Sequence, residues 1–170
     1  MKIIKKILPD KVYLPIIRVD DRLIHGQVVV GWGEKLQLQR MVLASDSVAW
    51  DEMLVELYSS LIPPEIEGAI LPIKDTVNYL RSRPFSGMQM IVTENADDAV
   101  RLLEAGLKVS KVIIGGMHYI EGCKRLLSYV FVNQERVEAL KKLMAFGIAV
   151  ECQDLPGNPA YKLTEKLLRI

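Results

Sequence analysis

Short apolar runs rich in Ile, Val and Met recur along the chain, and most are followed by a segment of about ten residues with helical spacing. Runs at Tyr13–Val19, Arg40–Ala44, Ala69–Ile73, Met88–Thr93, Lys111–Ile114, Tyr129–Val132 and Ile148–Gln153 predict strands. Helices are expected over Gly26–Leu36, Trp50–Leu61, Lys74–Arg83, Asn95–Glu104, Gln134–Phe146 and Ala160–Leu168. Pro63-Pro64 and Pro84 stop two of them, and Gly106 and Gly147 two more. Asn95 and Asn133 are placed to cap the helices that follow them. Gly31 and Gly33 lower the propensity of the first helix and allow close packing on the sheet. Strands that alternate with helices need right-handed crossovers, so the pattern predicts an α/β fold with a mainly parallel sheet. Alternation alone does not give the strand order.

Half of the 170 residues are hydrophobic and the mean hydropathy is +0.18, which suits a sheet covered on both faces. The length suggests one domain over 1–170, with 1–13 a short lysine-rich lead-in. No apolar run approaches the ~18 residues of a membrane span, and Pro9, Asp10 and Lys11 break up any secretory signal. Cys123 and Cys152 lack metal-ligand spacing and read as reduced or buried thiols of a cytosolic protein. A net charge of +1 argues against a nucleic-acid role based on bulk charge.

The chemistry concentrates in Arg18-Val-Asp-Asp-Arg-Leu-Ile-His-Gly-Gln27, between the first strand and the first helix. That junction lies at the carboxyl edge of an open α/β sheet, where ligands bind. A helix start there favours an anion, and Arg18 and Arg22 add fork-shaped donors for phosphate or carboxylate. His25 is the group of this loop able to act as a nucleophile near neutral pH. The loop therefore offers an imidazole inside an anion site, which is what a residue carrying a phosphoryl group needs. No G-x-G-x-x-G follows the first strand, so this is not a dinucleotide fingerprint.

The run R-V-D-D-R-L-I-H-G-Q-V resembles the active-site segment of the IIB component of the mannose/fructose/sorbose family of the sugar phosphotransferase system. Ser45-Asp46, Pro63-Pro64 and Gly115-Gly116-Met117-His118 are similar to further landmarks of that family. The resemblance implies a three-layer α/β/α sandwich. It implies that His25 accepts a phosphoryl group on Nδ1 from a IIA component and gives it to a sugar crossing the membrane through IIC and IID subunits. It implies a cytoplasmic chain, attached to the membrane through those partners, with sugar choice resting chiefly in them. The family begins close to its first strand, so residues 1–13 are a departure to which no role is given.

On this reading Arg22 and Arg18 neutralise phosphoryl oxygens, Arg22 the nearer in sequence, against surface pairing with Asp20 or Asp21. Asp20 and Asp21 cannot both face a phosphate, so they orient His25 or an arginine, or tie the loop to backbone N–H groups. Gly26 opens the helix. Gln27 either donates to phosphate or sugar hydroxyls or points to solvent. Asp46 borders the cleft or is a cap or turn residue. Gly115 and Gly116 let a ligand or the His25 loop approach the backbone. His118 is by default a hydrogen-bonded structural residue, with a cleft role second. Trp32 and Trp50 fall at apolar helical positions and read as core or interface. These residues require no metal and no organic cofactor. The expected partners are IIA, IIC/IID and a sugar, not nucleic acid, and the apolar content would accommodate a homo-oligomer interface. One rival is a phosphohistidine signalling module that reports phosphotransferase state without transport. Another is an unrelated nucleotide- or phosphosugar-binding α/β protein.

Overall fold

The computed structural model describes residues 13–169, so the lead-in falls almost wholly outside it. The elements run β1 (Ile16–Asp20), a π-helical segment (Gln27–Trp32) continuing into α1 (Gly33–Leu36), β2 (Arg40–Ala44), α2 (Asp46–Ala49), α3 (Glu52–Ser60), β3 (Glu67–Leu71) and α4 (Ile73–Ser82). They continue as β4 (Gln89–Thr93), α5 (Ala96–Glu104), β5 (Lys111–Gly116), β6 (Lys124–Leu127), β7 (Val130–Val132), α6 (Gln134–Ala145), β8 (Val150–Cys152) and β9 (Tyr161–Lys162).

Seven strands form one sheet in the order β3-β2-β4-β1-β5-β8-β9. The first six are parallel, and β9 pairs antiparallel with β8. β6 and β7 make a separate antiparallel hairpin. β1 lies in the middle of the sheet, so the loop leaving its carboxyl end is flanked by strands on both sides.

Side chains alternate across each strand and build two cores. Ile17, Val19, Val42, Ile91, Val112 and Ile114 face α4, α5 and α6. Ile16, Met41, Leu43, Met90, Val92 and Ile113 face the opposite layer, with Val28, Val29, Trp32 and Val48. Leu54, Tyr58 and Ile62 of the α3 region pack partly against this second core. Arg18 and Asp20 share the Ile16 face, so they lie under the helix that follows the loop.

Several local expectations fail. The predicted helix Trp50–Leu61 forms as α3, where Asp51 caps the start through Met53 N and Leu54 N at 3.0 and 3.1 Å, but the short helix α2 before it was not expected. Trp50 is not a core residue: it is 69% exposed, with Lys74 Nζ 5.3 Å from its ring centroid. No helix forms over Ala160–Leu168. There Tyr161 and Lys162 pair with Cys152 and Glu151, and Leu163 and Leu168 close the first core from turns. Residue 73 begins α4 instead of ending β3, and β6 is an additional strand.

The caps at Asn95 and Asn133 form as expected, accepting from Asp98 N at 2.8 Å and Arg136 N at 2.9 Å. Trp32 is buried, as expected. Cys152 is buried, and burial pushes its thiol up to about 12.

Candidate active site

The site is built on three charged residues, Arg18 and Asp20 in β1 and Arg22 in the loop that follows. Arg18 and Asp20 are both fully buried, and Arg18 Nη2 donates to Asp20 Oδ2 at 2.8 Å. The fork also reaches the chain that follows β8: Nη1 donates to the Gln153 carbonyl at 3.1 Å and Nη2 to the Asp154 carbonyl at 3.0 Å, while Nε meets no partner. Its Cζ lies 5.3 Å from the Trp32 ring centroid, and Trp32 Nε1 donates to the same Asp154 carbonyl at 3.0 Å. A buried guanidinium without such partners would be very costly.

Asp20 also serves Arg22. Its Oδ1 accepts from Arg22 Nε at 3.0 Å and from the Arg22 backbone N–H at 3.2 Å, and its Oδ2 accepts from Nη2 at 3.1 Å. Burial alone would raise the Asp20 carboxyl. The bonds to Arg22 and the charges of Arg18 and Arg22 outweigh it and hold the group below its usual 3.8. Asp20 is therefore an anion that fixes two arginines. Arg22 differs from Arg18 in that its side chain is 34% exposed. Its Nη1 reaches out to Gln27 Oε1 at 2.9 Å.

Two glycines make room for this triad. A Cβ on Gly115 would stand 2.0 Å from Arg18 Cζ, and one on Gly116 would stand 2.9 Å from Asp20 Oδ1. The pairing of β1 with β5 slips between Val19 and Asp20, so that Asp20 sits opposite Gly116. Of the two expected roles, the glycines fulfil the one in which loop side chains approach the backbone.

His25 follows at the end of the loop. Its Nδ1 lies 3.0 Å from the Leu23 carbonyl. A carbonyl only accepts, so this bond places the ring proton on Nδ1. Nε2 is shut off from solvent and meets no polar partner. The geometry thus holds the ring in the tautomer opposite to one with Nδ1 ready to attack. Leu23 reaches this position with φ at +59°, a left-handed conformation costing about 1–2 kcal/mol for an L-residue. The His25 carbonyl accepts from Val28 N and Val29 N at 2.9 and 3.0 Å and so starts the helix. The helix opens in π geometry, a form that recurs at functional sites.

The other expected residues divide. Asp21 holds the neighbouring loop: Oδ2 accepts from His118 N at 2.6 Å and Oδ1 meets His118 Nδ1 at 2.5 Å. His118 is thus a hydrogen-bonded partner of the His25 loop. Gly26 and Gln27 are exposed at the helix start. Asp46 is not free to serve a cleft: Oδ1 accepts from Ile73 N at 2.9 Å and Oδ2 meets Arg101 Nη2 at 2.8 Å. It anchors α4 and α5 behind the sheet. Arg18, expected at phosphoryl oxygens beside Arg22, is instead sealed under Gly115, and its role is to position Asp20.

Leu23, Trp32 and Asp154 complete the site, and sequence reasoning gave none of them a place in it. Asp154 had a legible signal, being a polar residue just past the last predicted strand, at the same carboxyl edge. The Leu23 carbonyl had none. Among the described residues, no group of three or more His, Cys, Asp or Glu side chains is arranged to hold a metal ion.

Residues 14–169 match the family described as the PTS system sorbose subfamily IIB component. The mannose-specific EIIAB component of Escherichia coli K12 is 30% identical over 162 residues, covering 95% of this chain and 50% of that protein. The chain thus spans about half the length of the EIIAB components it matches. The fructose-specific EIIB component of Bacillus subtilis 168 is 28% identical, covering 90% of this chain and 94% of the relative. The crystal structure of the N-acetylgalactosamine-specific IIB component 1 from Escherichia coli superposes with a TM-score of 0.81 at 27% identity, covering 88% and 98% of the two chains. The chain belongs to the sorbose subfamily of phosphotransferase-system IIB components.

Proposed function

We propose that this chain is a phosphocarrier in which His25 accepts a phosphoryl group from a IIA component and passes it to a sugar hydroxyl presented by membrane IIC and IID subunits. One observation carries the reading. His25 shares a single rigid loop with Arg22, a cation locked from behind by the buried Asp20 carboxylate and open in front.

Phosphoryl transfer is largely positioning and charge stabilisation, so a fixed, outward guanidinium is the donor it needs. Arg22 neutralises the phosphoryl oxygens. The Gln27 amide N–H2, which has no partner among the described residues, adds a second donor beside it. Asp20 and Arg18 hold Arg22 in place and touch no substrate. In the transfer, the bond from phosphorus to the IIA histidine breaks as the bond to the His25 nitrogen forms, and each imidazole keeps its own ring proton. Transfer through Nδ1 requires the ring to leave the Leu23 carbonyl and carry its proton on Nε2. In the second transfer the bond from phosphorus to the His25 nitrogen breaks as the bond to a sugar oxygen forms, and the hydroxyl proton passes to water. The chain works on the cytoplasmic side, held at the membrane by its partners. No helix among the described residues is long and apolar enough to cross a membrane.

The test is phosphorylation from phosphoenolpyruvate through the general phosphotransferase proteins and a matching IIA, followed by intact mass before and after brief acid. Wild type should gain one acid-labile phosphoryl group and His25→Ala none. Phosphorylation of His25→Ala to the wild-type level would remove His25 as the nucleophile. Sugar-dependent loss of the group with IIC/IID membranes distinguishes transport from a purely signalling role.

A further inference from the structure

The α3 region carries an apolar stripe that the fold does not use. Trp50, Met53, Leu57 and Leu61 are 69%, 81%, 52% and 42% exposed. Met53, Leu57 and Leu61 are spaced by four residues, which aligns them on one side of α3, and Trp50 stands just before the extended Asp51 that opens the helix. Leu54 and Tyr58, the next positions round the helix, pack inward against the second core. Apolar residues therefore cover two adjoining sides of α3, one buried and one bare. A row of large exposed apolar side chains of this kind marks a contact surface.

Charge identifies what fits there. Residues 46–75 hold seven carboxylates and a single cation, Lys74, which already lies over the Trp50 ring. Asp46 and Glu67 are paired inside the fold with Arg101 and Arg40, whereas Glu52, Glu56 and Glu65 stand exposed. Glu52 and Glu56, one turn apart, run along the outer edge of the stripe. A second copy meeting this face on a two-fold axis would set this acidic face against the same acidic face. An anionic lipid surface would be repelled by them. The matching surface is apolar with a basic rim. Cytoplasmic segments of membrane proteins carry an excess of Lys and Arg beside apolar residues.

We infer that the α3 stripe docks a basic, amphipathic cytoplasmic segment of the integral-membrane partner. This rests on the phosphocarrier reading above. The position suits it. α3 and the π-helical segment after His25 belong to the same layer of the sandwich, and Val30 of that segment is 57% exposed. Trp50 follows the carboxyl end of β2, and His25 follows that of β1, two strands away in a parallel sheet. A partner seated along α3 thus approaches the edge of the sheet that carries the phosphoryl group.

The experiment compares the full chain with a Met53→Asp/Leu57→Asp double variant and a Glu52→Lys/Glu56→Lys double variant, each with its fold checked by circular dichroism. Binding is read by co-sedimentation with vesicles carrying IIC and IID and with vesicles of the same lipids alone. Phosphoryl acceptance from IIA is read alongside. The apolar variant should bind IIC/IID vesicles at least about tenfold more weakly while accepting from IIA at the wild-type rate. The charge-reversed variant should be about tenfold weaker at low salt, with the gap closing as salt rises. Wild-type binding by both variants would overturn the docking proposal alone, provided wild type accepts from IIA. So would equal binding of wild type to bare lipid vesicles, a loss of IIA acceptance in the apolar variant, or a wild-type dimer that the variant dissociates. Failure of wild type to accept from IIA would instead overturn the phosphocarrier reading.

Discussion

Two buried arginines stand at opposite ends of the sheet, and they do different work. Arg40 opens β2 at the amino end. It donates to the Arg83 carbonyl at 2.9 Å, to Gln89 Oε1 at 3.3 Å and to Glu67 Oε2 at 3.1 Å, and stacks 4.1 Å from the Phe85 ring centroid. Its carboxylate partner, Glu67, is 39% exposed and also accepts from Tyr79 at 3.2 Å. That cluster ends in the Tyr79 and Phe85 rings, the Arg83 guanidinium stacked on Tyr79, and solvent. It closes the end of the sheet. Arg18 sits inside β1 towards the carboxyl end, and its carboxylate partner is fully buried and shared with a second arginine. The buried pair passes its rigidity outward to Arg22, a cation that is half-free. A buried ion pair becomes part of a site when one of its members holds a third, exposed charge.

The largest expected effect tests that difference directly. Asp20→Asn leaves Arg18 and Arg22 without their shared anion and should cost about 3–5 kcal/mol in chemical denaturation. Glu67→Gln, with its partly exposed carboxylate, should cost about 0–1 kcal/mol. Equal losses would break the comparison. Arg22→Gln should slow phosphoryl acceptance from IIA by roughly 10²-fold while changing stability little. If acceptance is unchanged, the outward cation is not used.

Gly115→Ala should cost about 1–3 kcal/mol by forcing Arg18 from its seat. Gly26→Ala, whose Cβ meets nothing within 4 Å, should stay within about 0.5 kcal/mol of wild type. The smallest effect is on pH. The Asp20 carboxyl is held below 3.8 in the fold, so the unfolded chain takes up its proton first as pH falls. The stability it contributes is complete above about 3.8 and is lost below that, as pH falls through the folded value. Melting temperature followed down to about pH 2 should show a shallower acid slope in Asp20→Asn than in wild type.

How far the sequence was legible depended on whether the signal was local. β2 is Arg40–Ala44 as its apolar run predicts, and the Asn95 and Asn133 caps follow from side chains acting within three residues. The segment 160–168 carries leucines at helical spacing, yet pairing with β8 claims Tyr161 and Lys162, and tertiary contact outweighs propensity. Spacing reads Trp50 as core or interface, and it cannot tell which apolar side of a helix meets the sheet. His25, Arg22 and Asp20 stand close in sequence, and so their loop was readable. Arg18 was misassigned because its burial depends on Gly115 of the adjoining strand and on carbonyls 135 and 136 residues away.

β9 is only two residues long, yet it covers the open side of β8. Without it, β8 would present a row of unpaired N–H and C=O groups, a template on which another molecule's strand could add. Tyr161 and Lys162 occupy that row from within the same chain and run antiparallel to it, so a parallel strand has nowhere to continue. That pairing leaves one side of the sheet with an edge of only two residues, while β3 forms the other edge.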